Sequence, residues 1–131
     1  PGDSYIDWLG ISAYGAQTPD EDWQSFEEVM DAGYAKLAAL SPTKPIAVLE
    51  FGVTEGEILI QKAEWIEDAF AAIRAGKYPR VKAMGYWHEN WENEEEEDSR
   101  LRIDSSSVAL QAYQEAVKDP FFVATAVFGG P

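Results

Sequence analysis

The sequence predicts an α/β fold with a parallel sheet. Two observations carry that prediction: short runs rich in branched and aromatic residues alternate with longer stretches of 3.6-residue periodicity, and the order is strand, helix, three times over. A third is the apolar character of the runs, which suits strands covered on both faces better than half-exposed antiparallel ones.

The first run, Tyr5 to Tyr14 (YIDWLGISAY), is a buried strand ending before Gly15. Thr18-Pro19-Asp20-Glu21 then carries the signs of a helix start, with a cap residue, proline at the first helical position and glutamate at the third. Trp23, Phe26, Met30, Tyr34, Leu37 and Leu40 form one stripe, which Ser41-Pro42 stops. Pro45 to Gly52 (PIAVLEFG) is the second strand. Thr54 and Glu57 suit a capping box, and Trp65, Ile66, Ala69, Phe70 and Ile73 give the next stripe, closed by Gly76 in left-handed conformation. Val81 to Trp87 (VKAMGYW) is the third strand. Ser105 to Ser107 read as caps for a last helix bearing Val108, Leu110, Tyr113 and Val117, which Asp119-Pro120 ends.

Composition narrows the function. The 131 residues suffice for one ordinary domain. Ten basic against 24 acidic residues give a net charge of -14, which repels a phosphate backbone and an anionic membrane surface alike. No nucleic acid or membrane partner is expected, and no apolar run nears the roughly 20 residues of a membrane helix. Without cysteine there is no disulfide, thiolate zinc site or cysteine nucleophile. His88 is the single histidine, too few for a zinc triad, and no glycine-rich phosphate loop follows any strand. No metal or organic cofactor is expected.

Alternation along the strands assigns faces. Gly10, Ser12 and Tyr14 share one face of the first strand, Ile46, Val48 and Glu50 one face of the second, and Ala83, Gly85 and Trp87 one face of the third. Leu9, Ile11, Leu49 and Phe51 suit covering helices. The opposite faces are small or apolar until their carboxyl ends, where Tyr14, Glu50 and Trp87 stand. A packed interior with functional groups on the carboxyl rim is the pattern of an α/β barrel. Glu50, a carboxylate inside VLEFG, is expensive to bury unpaired. A structural ion pair and a solvated strand end remain open beside a catalytic role. A tyrosine can hold a carboxylate ionised, and an indole can stack on a sugar or fill the rim.

These residues resemble glycoside hydrolase family 26. PGDSYIDWLGISAY, PIAVLEFG, VKAMGYW and RIDSS are similar to its last three strand–helix units, over nearly the whole chain. The resemblance implies strands six to eight of a (β/α)8 barrel, residues 1–131 being the carboxyl-terminal part of one catalytic domain and 120–131 an apolar tail. It implies a retaining hydrolase of β-linked polysaccharide, β-mannan first and mixed-linkage β-glucan second. Glu50 then corresponds to the nucleophile, Tyr14 to its hydrogen-bonding tyrosine and Trp87 to the sugar platform, while Arg102 and Asp104 tie the last loop to the last helix. A retaining pair needs two carboxyl groups about 5–5.5 Å apart, and the family's acid/base glutamate belongs to strand four, outside this sequence. Neither Glu55 nor Glu89 replaces it, so the 131-residue chain alone is expected to be inactive. Its implied partners are the other half of a barrel or a second copy, and its implied location is secreted or periplasmic.

Around the rim, His88 suits a hydrogen bond to a substrate hydroxyl and equally a plain polar role. Glu89 to Asp98 places seven acidic residues in ten positions. It lacks the alternating ligands and glycine of a calcium loop and reads as a solvated loop, within which Trp91 can stack on a distal sugar. Two readings compete with the enzyme: a non-catalytic carbohydrate-binding or scaffold half-barrel, and an open α/β domain with a small-molecule site at the strand ends.

Overall fold

A computed structural model describes residues 2–95, 97–123 and 125. Within them β1 (Leu9–Tyr14), β2 (Ile46–Gly52) and β3 (Val81–Tyr86) form a parallel sheet in the order β1-β2-β3, alternating with α1 (Phe26–Leu40), α2 (Leu59–Arg74) and α3 (Ser107–Val117). Residue 124 and residues 126–131 of the apolar tail lie outside the described residues.

One face of the sheet is buried by the helices. Leu9, Ile11 and Ala13 of β1, Ile46, Val48 and Phe51 of β2 and Met84 and Tyr86 of β3 join one apolar cluster with all three helices. Phe51 is its hub, with ring centroids 5.1 Å from Tyr86, 5.9 Å from Phe70 and 6.2 Å from both Phe26 and Trp65. Consecutive parallel strands joined by crossovers of one hand put every helix on the same side. The other face is left open, with Gly10, Ser12, Leu49 and Ala83 exposed.

The face assignment needs one correction, and a bulge is its cause. Along β1 and β2, Ile11 pairs with Val48 but Ser12 pairs with Glu50, so Leu49 is an extra residue without an opposite number. The bulge reverses the alternation. Ile46 and Val48, expected to share Glu50's face, are packed under the helices. Leu49, expected there, lies 62% exposed on the open face, against Gly10. Downstream of the bulge Glu50 and Phe51 take the sides expected of them.

Three helix starts also differ from expectation. Helix α1 begins seven residues after Pro19, where Ser25 and Glu28 form a complete capping box. The earlier Thr18 hydroxyl bonds Asp20 Oδ1, the Glu21 carboxylate accepts from the Gln17 N–H, and the segment stays a loop. Trp23 therefore precedes the helix, and Leu40 at its far end is exposed. Helix α2 begins after Ile58 without a side-chain cap, so Thr54 and Glu57 form no capping box; Thr54 Oγ1 accepts from the Arg100 N–H instead. Ser106 alone caps α3, which buries Ala109 and Ala112 and leaves Val108 exposed. The first strand also starts late, after a 3-10 turn over Asp3–Tyr5. At the other end of α2, Gly76 takes φ +75°, the left-handed conformation expected of it.

The amino ends of the strands are closed by Arg80. Its guanidinium donates to the carbonyls of Ala38, Ser41 and Lys44, acceptors that α1 and the following turn leave free. Beside β3, below α3, an apolar cavity of about 640 Å³ is lined by Phe70, Met84, Tyr86, Tyr113 and Phe122.

Candidate active site at the carboxyl ends of the strands

The bulge presents Glu50 on the open face, half-buried, at the carboxyl end of β2. Two hydroxyls of β1 reach the same oxygen: Tyr14 donates to Glu50 Oε2 at 3.2 Å and Ser12 at 3.3 Å. Burial and the negative charge of Glu50 both push the Tyr14 phenol well above its ordinary value, so it stays protonated and donates. Glu50 therefore keeps its second oxygen free of any protein donor among the described residues, which is what a carboxylate needs to attack or to bind.

Aromatic rings continue outward from that pair. Trp91 lies 6.0 Å from the Tyr14 ring, and Trp87 lies 5.7 Å from Trp91, both tilted. Trp87 prolongs β3 through its N–H bond to the Phe51 carbonyl. Its indole Nε1 is buried and has no partner among the described residues. Trp91 is set by the base of the acidic loop, where its N–H donates to Ser99 Oγ at 2.6 Å and its carbonyl accepts from the Ser99 N–H at 3.0 Å. Between them the acidic loop closes on itself, Asn93 bonding Asp98 and the Glu97 carbonyl.

His88 is turned elsewhere. Its Nδ1 accepts from the Ile103 N–H at 3.0 Å, which makes Nε2 the protonated nitrogen of the neutral ring, and Nε2 lies 3.9 Å from Asp104 Oδ1. Asp104 in turn forms a two-bond fork with Arg102, at 3.0 Å for each bond, and this pair holds its carboxyl below the usual aspartate range. Glu55 is 2% exposed with both oxygens covered, and so is shut off from anything on the open face.

Sequence reasoning missed Ser12 as a partner of Glu50, though its parity with Tyr14 was on view. It also missed Lys62, which is fully buried in the first turn of α2 and donates to the carbonyls of Arg100 (2.6 Å) and Arg102 (2.8 Å) and to Ser105 Oγ (2.8 Å). Lys62 lies three and four residues before Trp65 and Ile66, on the apolar stripe itself, and a lysine there is a signal. Ser105 is thus an acceptor for that ammonium and no cap.

A parallel β/α sheet with a carboxylate and aromatic rings at its carboxyl ends is an arrangement that many sugar-processing and other barrel enzymes use. No family model matches the chain. Over 120 residues it is 39% identical to Endoglucanase H of Acetivibrio thermocellus, a match that takes in 89% of this chain. The chain spans 12% of the length of that relative.

Proposed function

We propose that this chain supplies strands six to eight of a (β/α)8-barrel retaining glycoside hydrolase, with Glu50 as the nucleophile. The observation that carries the reading is the Tyr14–Glu50 bond on the open face, at the carboxyl end of a singly wound sheet. The open, small-residue face and the cavity beside β3 support a barrel interior and a neighbouring β/α unit. The likeness to a protein named an endoglucanase favours β-glucan as the substrate ahead of β-mannan. Such substrates are met outside the cell membrane, in keeping with a secreted or periplasmic enzyme.

In this reading the free oxygen of Glu50 attacks the anomeric carbon. The bond from that carbon to the leaving oxygen breaks, and a second carboxyl group from outside these three units protonates the oxygen. Water then attacks the glycosyl ester, gives its proton to that second group, and releases Glu50. Tyr14 and Ser12 hold the carboxylate in place, and Trp87 and Trp91 offer ring faces to the sugar.

The test is a reducing-sugar assay on β-glucan and β-mannan with the polypeptide at its natural length. Glu50→Gln is expected to lower kcat about a thousandfold or more, in the range seen when a nucleophile is removed. Undiminished hydrolysis by Glu50→Gln overturns the assignment. Binding by the wild type without any hydrolysis favours the non-catalytic carbohydrate-binding reading.

A further inference from the structure

We propose that Lys62 is a positioning residue for the site, setting the place of Trp87 and Trp91 beside Glu50; this rests on the functional reading above. The ammonium has three protons and three acceptors, namely the Arg100 and Arg102 carbonyls and Ser105 Oγ. It keeps none for a ligand, so what it contributes is geometry. Burial pushes its pKa down to about 8, while Glu55 and Asp104 pull it back up, and the charge is present at neutral pH.

The segment it grips, Arg100 to Ser105, is the chain returning from the acidic loop. The carbonyls of residues 100 and 102 point to Lys62. The amides of the same segment meet the rim: the Arg102 N–H donates to Asn90 Oδ1 and the Ile103 N–H to His88 Nδ1, each at 3.0 Å. Asn90 and His88 sit between Trp87 and Trp91 in sequence. Just upstream, Ser99 fixes Trp91 through both of its backbone groups. One buried cation on α2 thus helps to set the register of the returning chain, sharing the Arg100 carbonyl with the Glu55 N–H at 3.1 Å, and that chain bonds the backbone and side chains around both indoles. The Leu101 carbonyl, accepting from Tyr86 at 3.0 Å, and the Arg100 N–H, donating to Thr54, pin the segment to the sheet but touch no rim residue.

The experiment compares Lys62→Met with the wild type, both at natural length, by the indole N–H resonances of the tryptophans and by titration with a β-1,4-glucan hexasaccharide. Tyr78→Phe serves as the control, since it removes the bond to Asp31 at a distance from the rim. The Trp87 and Trp91 signals are expected to shift in Lys62→Met while those of Trp8 and Trp23 stay, and the affinity falls about tenfold. Tyr78→Phe leaves both readouts unchanged. Unmoved Trp87 and Trp91 signals, or an equal loss in Tyr78→Phe, overturn the proposal. Should Lys62→Met fail to fold, Ser105→Ala decides, because it removes one of the three acceptors of the ammonium with Lys62 in place and lies away from both indoles in sequence. Shifted Trp87 and Trp91 signals uphold the proposal, and unchanged ones overturn it. A wild type that binds neither glucan nor mannan sinks the functional reading, while the indole shifts still judge Lys62.

Discussion

On the helix-covered face of the sheet Ile46, Val48 and Phe51 are at most 1% exposed, whereas Leu49, lying between Val48 and Glu50 in sequence, is 62% exposed on the other face. The covered face is aromatic and closely packed around Phe51. The open face is glycine, alanine and serine, with one leucine and a carboxylate at its end. Chemistry appears only where packing has stopped. Glu50 stands at the strand terminus with two hydroxyls for company, while the buried Lys62 ammonium has all three of its protons bonded. The bulge at Leu49 is the hinge between these regimes, since it turns Phe51 into the core and Glu50 out of it within two residues.

The largest effect that tests the contrast is on the covered face. Phe51→Ala should cost about 3–5 kcal/mol of stability, the usual range for a large aromatic lost from a core. Urea denaturation reads this, and a loss under 1 kcal/mol would mean that the hub is not a hub. At the rim, Tyr14→Phe removes a donor to a charged group, worth about 1.5–3 kcal/mol. It should lower kcat/KM of the natural-length polypeptide about ten- to a hundredfold, with little change in the thermal midpoint.

Leu49→Ser sharpens the comparison from the other side. For the 131-residue chain it should change stability by no more than about 0.5 kcal/mol, as exposed sites do. In the natural-length polypeptide the cost should rise to several times that if the open face is a filled barrel interior. Equal effects in both would show that nothing covers Leu49.

The smallest effect concerns acid. Asp31 is held below its ordinary value of 3.8 first by the Tyr78 hydroxyl and then by Lys77, Asp119 by the Phe121 N–H and Arg74, and Asp104 by Arg102. Each folded-state value lies below the unfolded one, so the stability they add is present above about pH 4. It is lost as the pH falls through the depressed values. Asp31 and Asp104 are exposed and Asp119 is partly so, and each contributes little. A thermal midpoint followed from pH 7 to pH 3 should drop, and should drop less in Asp31→Asn.

Much of this was legible in the sequence. Among the described residues the alternation of apolar runs and stripes located the three strands and the three α-helices, though not where the helices start, and parity at the strand ends singled out Tyr14, Glu50 and Trp87. The bulge was not legible, because VLEFG reads as continuous alternation and the extra residue shows only against the register of β1. The start of α1 was a contest between Thr18 with Glu21 and Ser25 with Glu28, two capping signals seven residues apart. Bonds from Thr18 to Asp20 and from Trp65 Nε1 to the Gln24 carbonyl decided it in favour of the second. Lys62 was visible as a lysine on an apolar stripe, but its acceptors lie about 40 residues away in a loop whose path no local pattern gives.

The central claim is that the carboxylate turned outward by the bulge forms a bond to sugar. It is tested most directly by trapping the natural-length polypeptide with a fluorinated β-glucoside that slows release of the glycosyl ester, followed by peptide mass analysis. The account predicts one added glycosyl group on the peptide containing Glu50, and none in Glu50→Gln. A label on another carboxylate, or full turnover with Glu50 replaced, would contradict it.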